Sequence, residues 1–159
     1  MDPGLPDLYA ATSARLVGLL TAMGGSAEEA EDVCQEAWSR LVPRWDRVRR
    51  YDDPEAWVRS VAVRLLISRA RRRAVARKFL PVLADRSVVP GPAGTSVDLA
   101  AALAVLPLEQ RAVVVLHHAL DLPVEEVARL LGVPLGTVKS RLSRGRAALA
   151  VLLSEEVTP

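Results

Sequence analysis

With a single cysteine, Cys34, among 159 residues, the chain has no partner for an intrachain disulfide and no thiolate set for a structural zinc. Aromatic residues supply only 4% of it, and the alternation of apolar and polar residues that marks a half-buried strand is rare. No apolar run approaches the ~20 residues that cross a bilayer, so membrane insertion is not expected. The opening MDPGLPDLY lacks the basic-then-apolar order of a secretory signal, which makes a cytoplasmic location the expectation. Serine–histidine–acid sets, glycine-rich phosphate loops and paired carboxylates do not stand out. His117 and His118 have no cysteine near them and no second spaced pair. The chain is therefore read as a protein without catalytic centre, metal or cofactor.

What is abundant is alanine, leucine and arginine, with half of all residues hydrophobic, and this favours helix. The fold class expected is all-α: two small helical domains joined by a flexible linker. The net charge of +2 hides a separation. Glu28, Glu29, Glu31, Asp32 and Glu36 crowd one segment, while residues 44–78 hold twelve basic residues against four acids. Such clustering implies a polyanion for the basic part and a different partner for the acidic part.

A first helix is expected from about Pro6 to Met23, with Leu8, Leu16, Leu19, Leu20 and Met23 inward and Gly24-Gly25 as its stop. Ser26 and Glu29 read as a capping box opening a second helix, buried through Ala30, Val33, Cys34, Ala37, Trp38, Leu41 and Val42 and closed by Pro43. Residues 44–53, RWDRVRRYDD, read as a loop or irregular turn. Asp53-Pro54 then forms the N-cap and first position of a third helix reaching Lys78, with Trp57, Val58, Val61, Ala62, Leu65 and Leu66 inward. The domains so defined are 1–78 and 98–155, separated by a Pro/Gly-rich linker at 79–97. In the second domain, helices are expected from about Asp98 to Val105 and from Leu108 to about Ala119.

The stretch from Pro123 to Leu149 is the most informative. Val124, Val127, Ala128 and Leu131 make one stripe, Gly132 offers the left-handed stop, and a second helix starts after Pro134. That helix holds no acid from Leu135 to Leu153, with Val138, Leu142 and Leu149 on its inner face. This is a helix–turn–helix, whose second helix enters the DNA major groove. Thr137 beside Gly136 is aimed at a phosphate. Lys139, Ser140, Ser143 and Arg144 are placed for base edges or the groove wall. Arg141 and Arg146 are expected on phosphate or an adjacent helix.

In the first domain, Arg44, Arg47, Arg49 and Arg50 are interleaved with Trp45 and Tyr51. Cations follow a backbone and flat rings accept unstacked bases, which suits single-stranded DNA. The rings either stack on bases or cap the core; the residues alone leave both open. Arg59, Arg64, Arg69, Arg71, Arg72 and Arg73 add phosphate-binding capacity to the third helix. Glu28 and Glu29 read as acids complementing a helix N-terminus. Asp32, Gln35 and Glu36 read as a face that shuns DNA and meets another partner.

With these residues in hand, the chain resembles the sigma-70 family of bacterial transcription initiation factors, in the small extracytoplasmic-function (ECF) group. The segments LPLEQRAVVVL and VEEVARLLGVPLGTVKSRLSRGRAAL are similar to sigma region 4; AEDVCQEAW and WDRVRRYDDPEAWVRSVA into RARRR are similar to region 2. The third helix departs from a common family pattern: Arg64 stands in place of an asparagine and Ser68 in place of an aspartate. The resemblance implies that α-helical docking through Asp32, Gln35 and Glu36 engages the β′ clamp helix of core RNA polymerase, and that the second domain meets the β flap. It further implies −35 reading by Thr137 to Arg146 and −10 melting by Arg44 to Arg72. An anti-sigma factor is a further partner it suggests. The alternatives are a helix–turn–helix regulator that never joins polymerase and a nucleic-acid-binding adaptor.

Overall fold

The structure, a computed structural model, describes residues 4–24, 26–79 and 95–155. Among them there is no strand. The chain divides into two compact units, Met1–Arg86 and Ser87–Pro159.

The first unit is a helical bundle of α1 (Leu5–Gly24), α2 (Ala27–Leu41), the short α3 (Trp45–Val48) and the long α4 (Pro54–Phe79). Two of its helices begin where short side chains satisfy otherwise unpaired amides. Ser26 Oγ accepts from Glu29 N at 3.3 Å, and Asp53 Oδ1 accepts from Ala56 N at 3.1 Å. Leu16, Leu20 and Met23 of α1 are buried as expected, whereas Leu8 and Leu19 are half-buried. Thr12 takes an inner place instead, its hydroxyl donating to Leu8 O at 2.7 Å and so needing no other partner. Gly24 is still helical, and Gly25 lies outside the described residues.

The α2 stripe is buried from Ala30 to Leu41, but Val42 is 59% exposed, contrary to expectation. Past Leu41 the chain tightens into a 3-10 turn, Val42–Arg44, which rotates Val42 off the stripe. The segment expected as a loop is therefore helical in its first half, Arg44 to Val48, since α3 follows at once, and turns and bends only from Arg49 to Asp53. Val48 anchors it and is 1% exposed. In α4, Val58, Ala62, Leu65 and Leu66 are buried together with Val63 and Ile67, which widens the stripe; Trp57 and Val61 are only half-buried.

The second unit comprises α5 (Thr95–Val105), α6 (Leu108–Val114), α7 (Val124–Leu131) and α8 (Leu135–Glu155). The expected linker lies mostly outside the described residues; its two ends are corrected, since Phe79 closes α4 and Thr95 to Val97 belong to α5. The expected helix to Ala119 is regular only to Val114, then widens into a π turn, Val115–Ala119. Ala112 to Leu116 are all buried, which makes this element the centre of the unit. Arg111 braces the corner before it by donating to Ala104 O and Leu106 O at 3.3 and 2.9 Å, carbonyls that the end of α5 leaves without helical partners. The inner face of α7 is Val127, Ala128 and Leu130; Val124 and Leu131 are half-buried, so the stripe is turned by about one residue from the expected one.

Candidate nucleic-acid interface

Gly132 has φ 66°, a left-handed conformation that glycine adopts without strain, and its amide closes α7 on Ala128 O. Pro134 O then accepts from Thr137 N and Val138 N at 3.0 and 3.2 Å, which starts α8. Val138, Leu142 and Gly145 are buried at helical spacing, while Leu149 is half-buried. Gly145 is the residue that composition did not reveal. A Cβ there would stand 2.7 Å from Val114 Cγ2, so its bare backbone is what lets α8 close on α6. The available signal is a glycine inside a helix, which costs stability unless something else needs it.

This seating divides the seven residues assigned to the recognition helix. Lys139, Ser140, Ser143 and Arg144 are exposed, and the Ser140 hydroxyl donates back to Thr137 O at 3.1 Å. Thr137 is half-buried, and a Cβ on neighbouring Gly136 would meet nothing, so the helix start is open to close approach. Arg141 turns inward and pairs with Glu109 at 3.2 Å. Arg146 Nε donates to His118 Nε2 at 3.0 Å. His117 Nδ1 lies 2.8 Å from Leu122 O, to which it donates. Partial burial and the charge of Arg146 hold His118 below its ordinary pKa, which suits its role as an acceptor.

In the first unit the Arg44–Tyr51 segment is organised by its own side chains. Arg44 donates to Arg40 O at 2.9 Å, Arg49 approaches Asp46 at 3.9 Å, and Arg47 Nε donates to Tyr51 Oη at 2.9 Å. Tyr51 is 38% exposed, Trp45 is half-buried and Arg50 is exposed. Val48, rather than either ring, supplies the anchor, which leaves ring surface outside the core. On α4, Arg59 is half-buried and Arg64, Arg71 and Arg72 are exposed; Arg72 donates to Ser68 Oγ at 3.4 Å.

The acidic face of α2 is not simply solvated. Arg69 of α4 donates to Asp32 Oδ2 at 2.7 Å and to Glu36 Oε2 at 2.5 Å, while Arg40 takes Glu36 Oε1 at 2.8 Å. The Arg69 hydrogen bond, chiefly, holds the Glu36 carboxyl below its ordinary value. Glu29, expected as a helix-start acid facing water, pairs with Arg73 at 2.7 Å and keeps only 16% of its side chain exposed. The capping box is thus half-formed: Ser26 caps, and Glu29 reaches to α4. Gln35 Nε2 donates to Tyr9 Oη at 3.1 Å, and the Tyr9 ring packs edge-on against Trp38 with centroids 5.0 Å apart. Tyr9, Arg69 and Arg73 as partners of this face were not legible from spacing. Among the described residues no group of three or more His, Cys, Asp or Glu is placed to hold a metal, and no helix is long and apolar enough to cross a membrane.

One helical unit thus presents a helix–turn–helix and the other an arginine-rich helix beside an acidic one. Residues 8–75 match the family described as Sigma-70 region 2, and residues 96–149 match Sigma-70, region 4. The chain is 34% identical to the ECF RNA polymerase sigma factor SigE of Mycolicibacterium smegmatis, over 96% of this chain and 63% of that protein. It is 32% identical to the ECF RNA polymerase sigma factor SigW of Bacillus subtilis, over 80% of this chain and 76% of that one. The chain therefore belongs to the sigma-70 family, in its ECF group. The fold is similar to that of sigma factor RpoE of Bartonella quintana, solved in complex with the anti-sigma factor NepR: TM-score 0.73, 23% identity, 92% of this chain and 94% of that one.

Proposed function

We propose that the chain is an ECF sigma factor that brings core RNA polymerase to promoters and helps to open them, without being an enzyme itself, and that it works in the cytoplasm. The domains in this reading are 1–79 for docking and −10 melting and 95–155 for the −35 element, with residues 80–94 as tether. The observation that carries it is the division of α8: a buried row at Val138, Leu142 and Gly145 behind an exposed row of Lys139, Ser140, Ser143 and Arg144. A groove-reading helix needs one face locked and the other free. Thr137 at the open helix start suits a phosphate. Arg146, exposed and positioned by His118, is assigned to a phosphate flanking the groove, whereas Arg141, turned inward onto Glu109, takes the adjacent-helix role.

In the first domain, Arg44, Arg47, Arg49 and Arg50 follow the −10 strand while Trp45 and Tyr51 offer ring faces to unstacked bases. Extruding a base costs a few kcal/mol, which stacking offsets in part. Arg59, Arg64, Arg71 and Arg72 hold phosphates along α4. Asp32, Gln35 and Glu36 dock on the β′ clamp helix, and the second domain meets the β flap. An anti-sigma factor is a further expected partner, given the RpoE–NepR complex and the solved complex of CnrH, a fold neighbour, with the cytosolic domain of CnrY.

Promoter-DNA binding with and without core polymerase tests the reading. Tight, promoter-selective binding is expected only when core enzyme is present. A chain that binds duplex DNA tightly alone and never associates with core enzyme is a regulator of another kind, and the proposal fails.

A further inference from the structure

Lys139, Ser143 and Arg146 lie at i, i+4 and i+7 on α8, one exposed stripe. Arg146 thus continues the proposed DNA face about 10 Å further along the axis, where a helix whose first turns read bases passes the backbone. Its guanidinium meets a side chain from another element. Arg146 Nε donates at 3.0 Å to Nε2 of His118, an exposed residue of the π turn. An N–H cannot donate to a protonated nitrogen, so this contact fixes His118 as a neutral ring with its proton on Nδ1. The His117 ring stands edge-on to it, centroids 4.8 Å apart, its Nδ1 committed to Leu122 O. The charges of Arg146 and His117 oppose protonation of His118, and that of Asp121 favours it. α6 and α7 also pack on this turn. Their charged residues are Glu109, which Arg141 takes, and Arg111, which braces the end of α5, then Glu125, Glu126 and Arg129 on α7.

We propose that His118 and Arg146 together form one phosphate-binding site of the second unit, which takes up a DNA backbone phosphate along with a proton from solvent. This rests on the reading of α8 as the −35 helix. In the free chain the site holds one cation, and the ring accepts from it. When a phosphate arrives, a solvent proton adds to His118 Nε2, the hydrogen bond from Arg146 is given up, and both Nε–H groups donate to phosphate oxygens. Two adjacent cations repel each other, and the phosphate between them offsets that repulsion. Linkage makes the effect mutual: a phosphate that favours the protonated ring is bound more tightly once the ring is protonated. The sign follows. The free ring takes its proton below the ordinary 6.5, and the phosphate-bound ring takes it at a higher pH. Affinity for DNA therefore rises as pH falls through the bound value, and the gain is complete below the free one. A histidine that only braces Arg146 gives the opposite sign, because protonation breaks the brace and loosens the arginine.

The full chain and its His118→Gln variant are bound to a short duplex carrying the −35 element found by start-site mapping. Affinity is read between about pH 7.5 and 5.5 at several salt concentrations, with thermal melting at each pH as a check of fold. Over that interval the wild-type chain should gain about three- to ten-fold more affinity than the variant gains, one pKa unit being tenfold. Its slope of log K against log salt should steepen by about 1, while that of the variant does not. Equal gains in the two chains, or a wild-type affinity that falls relative to the variant, overturns the proposal. Should His118→Gln not fold, the His118 ring of the wild-type chain is titrated by NMR with and without the duplex. Its midpoint should rise on binding, and a fixed or lowered midpoint overturns the proposal. A duplex of scrambled sequence is bound in parallel. Equal affinity for the two duplexes refutes the −35 reading, while the pH arm still reports on the phosphate site. Absence of binding to either refutes both.

Discussion

Glu36 carries two arginines, Arg40 on its own helix and Arg69 on α4, and its carboxyl is held below the ordinary value chiefly by the Arg69 hydrogen bond. The unfolded chain therefore binds a proton there more readily than the folded one. The stabilisation is present above the model-peptide value of 4.5 and is lost as pH falls through the lower folded value. Thermal melting of the first domain should drop in that acid window. Glu36→Gln should lower the melting temperature by about 2–6 °C at neutral pH and flatten the acid limb, as expected for a screened pair network; an unchanged melt would show that the network contributes nothing. His118 has the same sign in a different window. Its lowered pKa means that the unfolded state protonates first, so its contribution holds above 6.5 and fades below it. Melting of the second domain from pH 7.5 to 5.5 should show this decline, and His118→Gln should reduce it. At this scale the legible residues were those that act on their own backbone. Ser26, Asp53 and Gly132 work within a few residues of themselves. Arg69 looked like its neighbours Arg71 and Arg72, because its partners lie 33 and 37 positions away and depend on how two helices cross.

Two glycines show what packing does to an element. Gly145 faces Val114 so closely that Gly145→Ala must push α8 from α6, an overpacking change that should destabilise the second domain by about 1–3 kcal/mol. Gly18, inside α1, would meet nothing with an added Cβ, so Gly18→Ala should stabilise the first domain by about 0.5–1 kcal/mol. Calorimetry of the two variants tests the contrast; equal effects would contradict the packing assigned to Gly145. The sequence showed α2 well because its 3,1,3,1 spacing describes one face packed on one core. It showed α7 less well, since Leu130 and Leu131 are adjacent leucines and only the packed unit chooses between them. The π turn after Val114 leaves no mark in composition, for it is a change of hydrogen-bond register among residues that all suit an ordinary helix. The same holds for the Arg44–Asp53 segment: Pro43 announced a break, and α3 formed because Val48 could be buried beyond it.

For the whole molecule, Pro81, Pro90, Gly91, Pro92 and Gly94 announced the division into two units, and motif order within each unit announced the family. The candidate faces were legible as clusters of charge, but not the way the acidic cluster engages α4. If both units bind DNA as proposed, two weak sites on one chain act together by effective concentration, which raises avidity by orders of magnitude without a new contact. In the proposed function, tethering therefore matters to promoter choice as much as any one side chain does. Whether the chain directs polymerase to promoters is read by mapping transcription start sites with core RNA polymerase and genomic DNA, in the presence and absence of the purified chain. A discrete new set of starts is expected, each preceded by two short shared sequence elements near −35 and −10, with the −35 preference altered by Arg144→Ala. A start profile identical to that of core enzyme alone would contradict it.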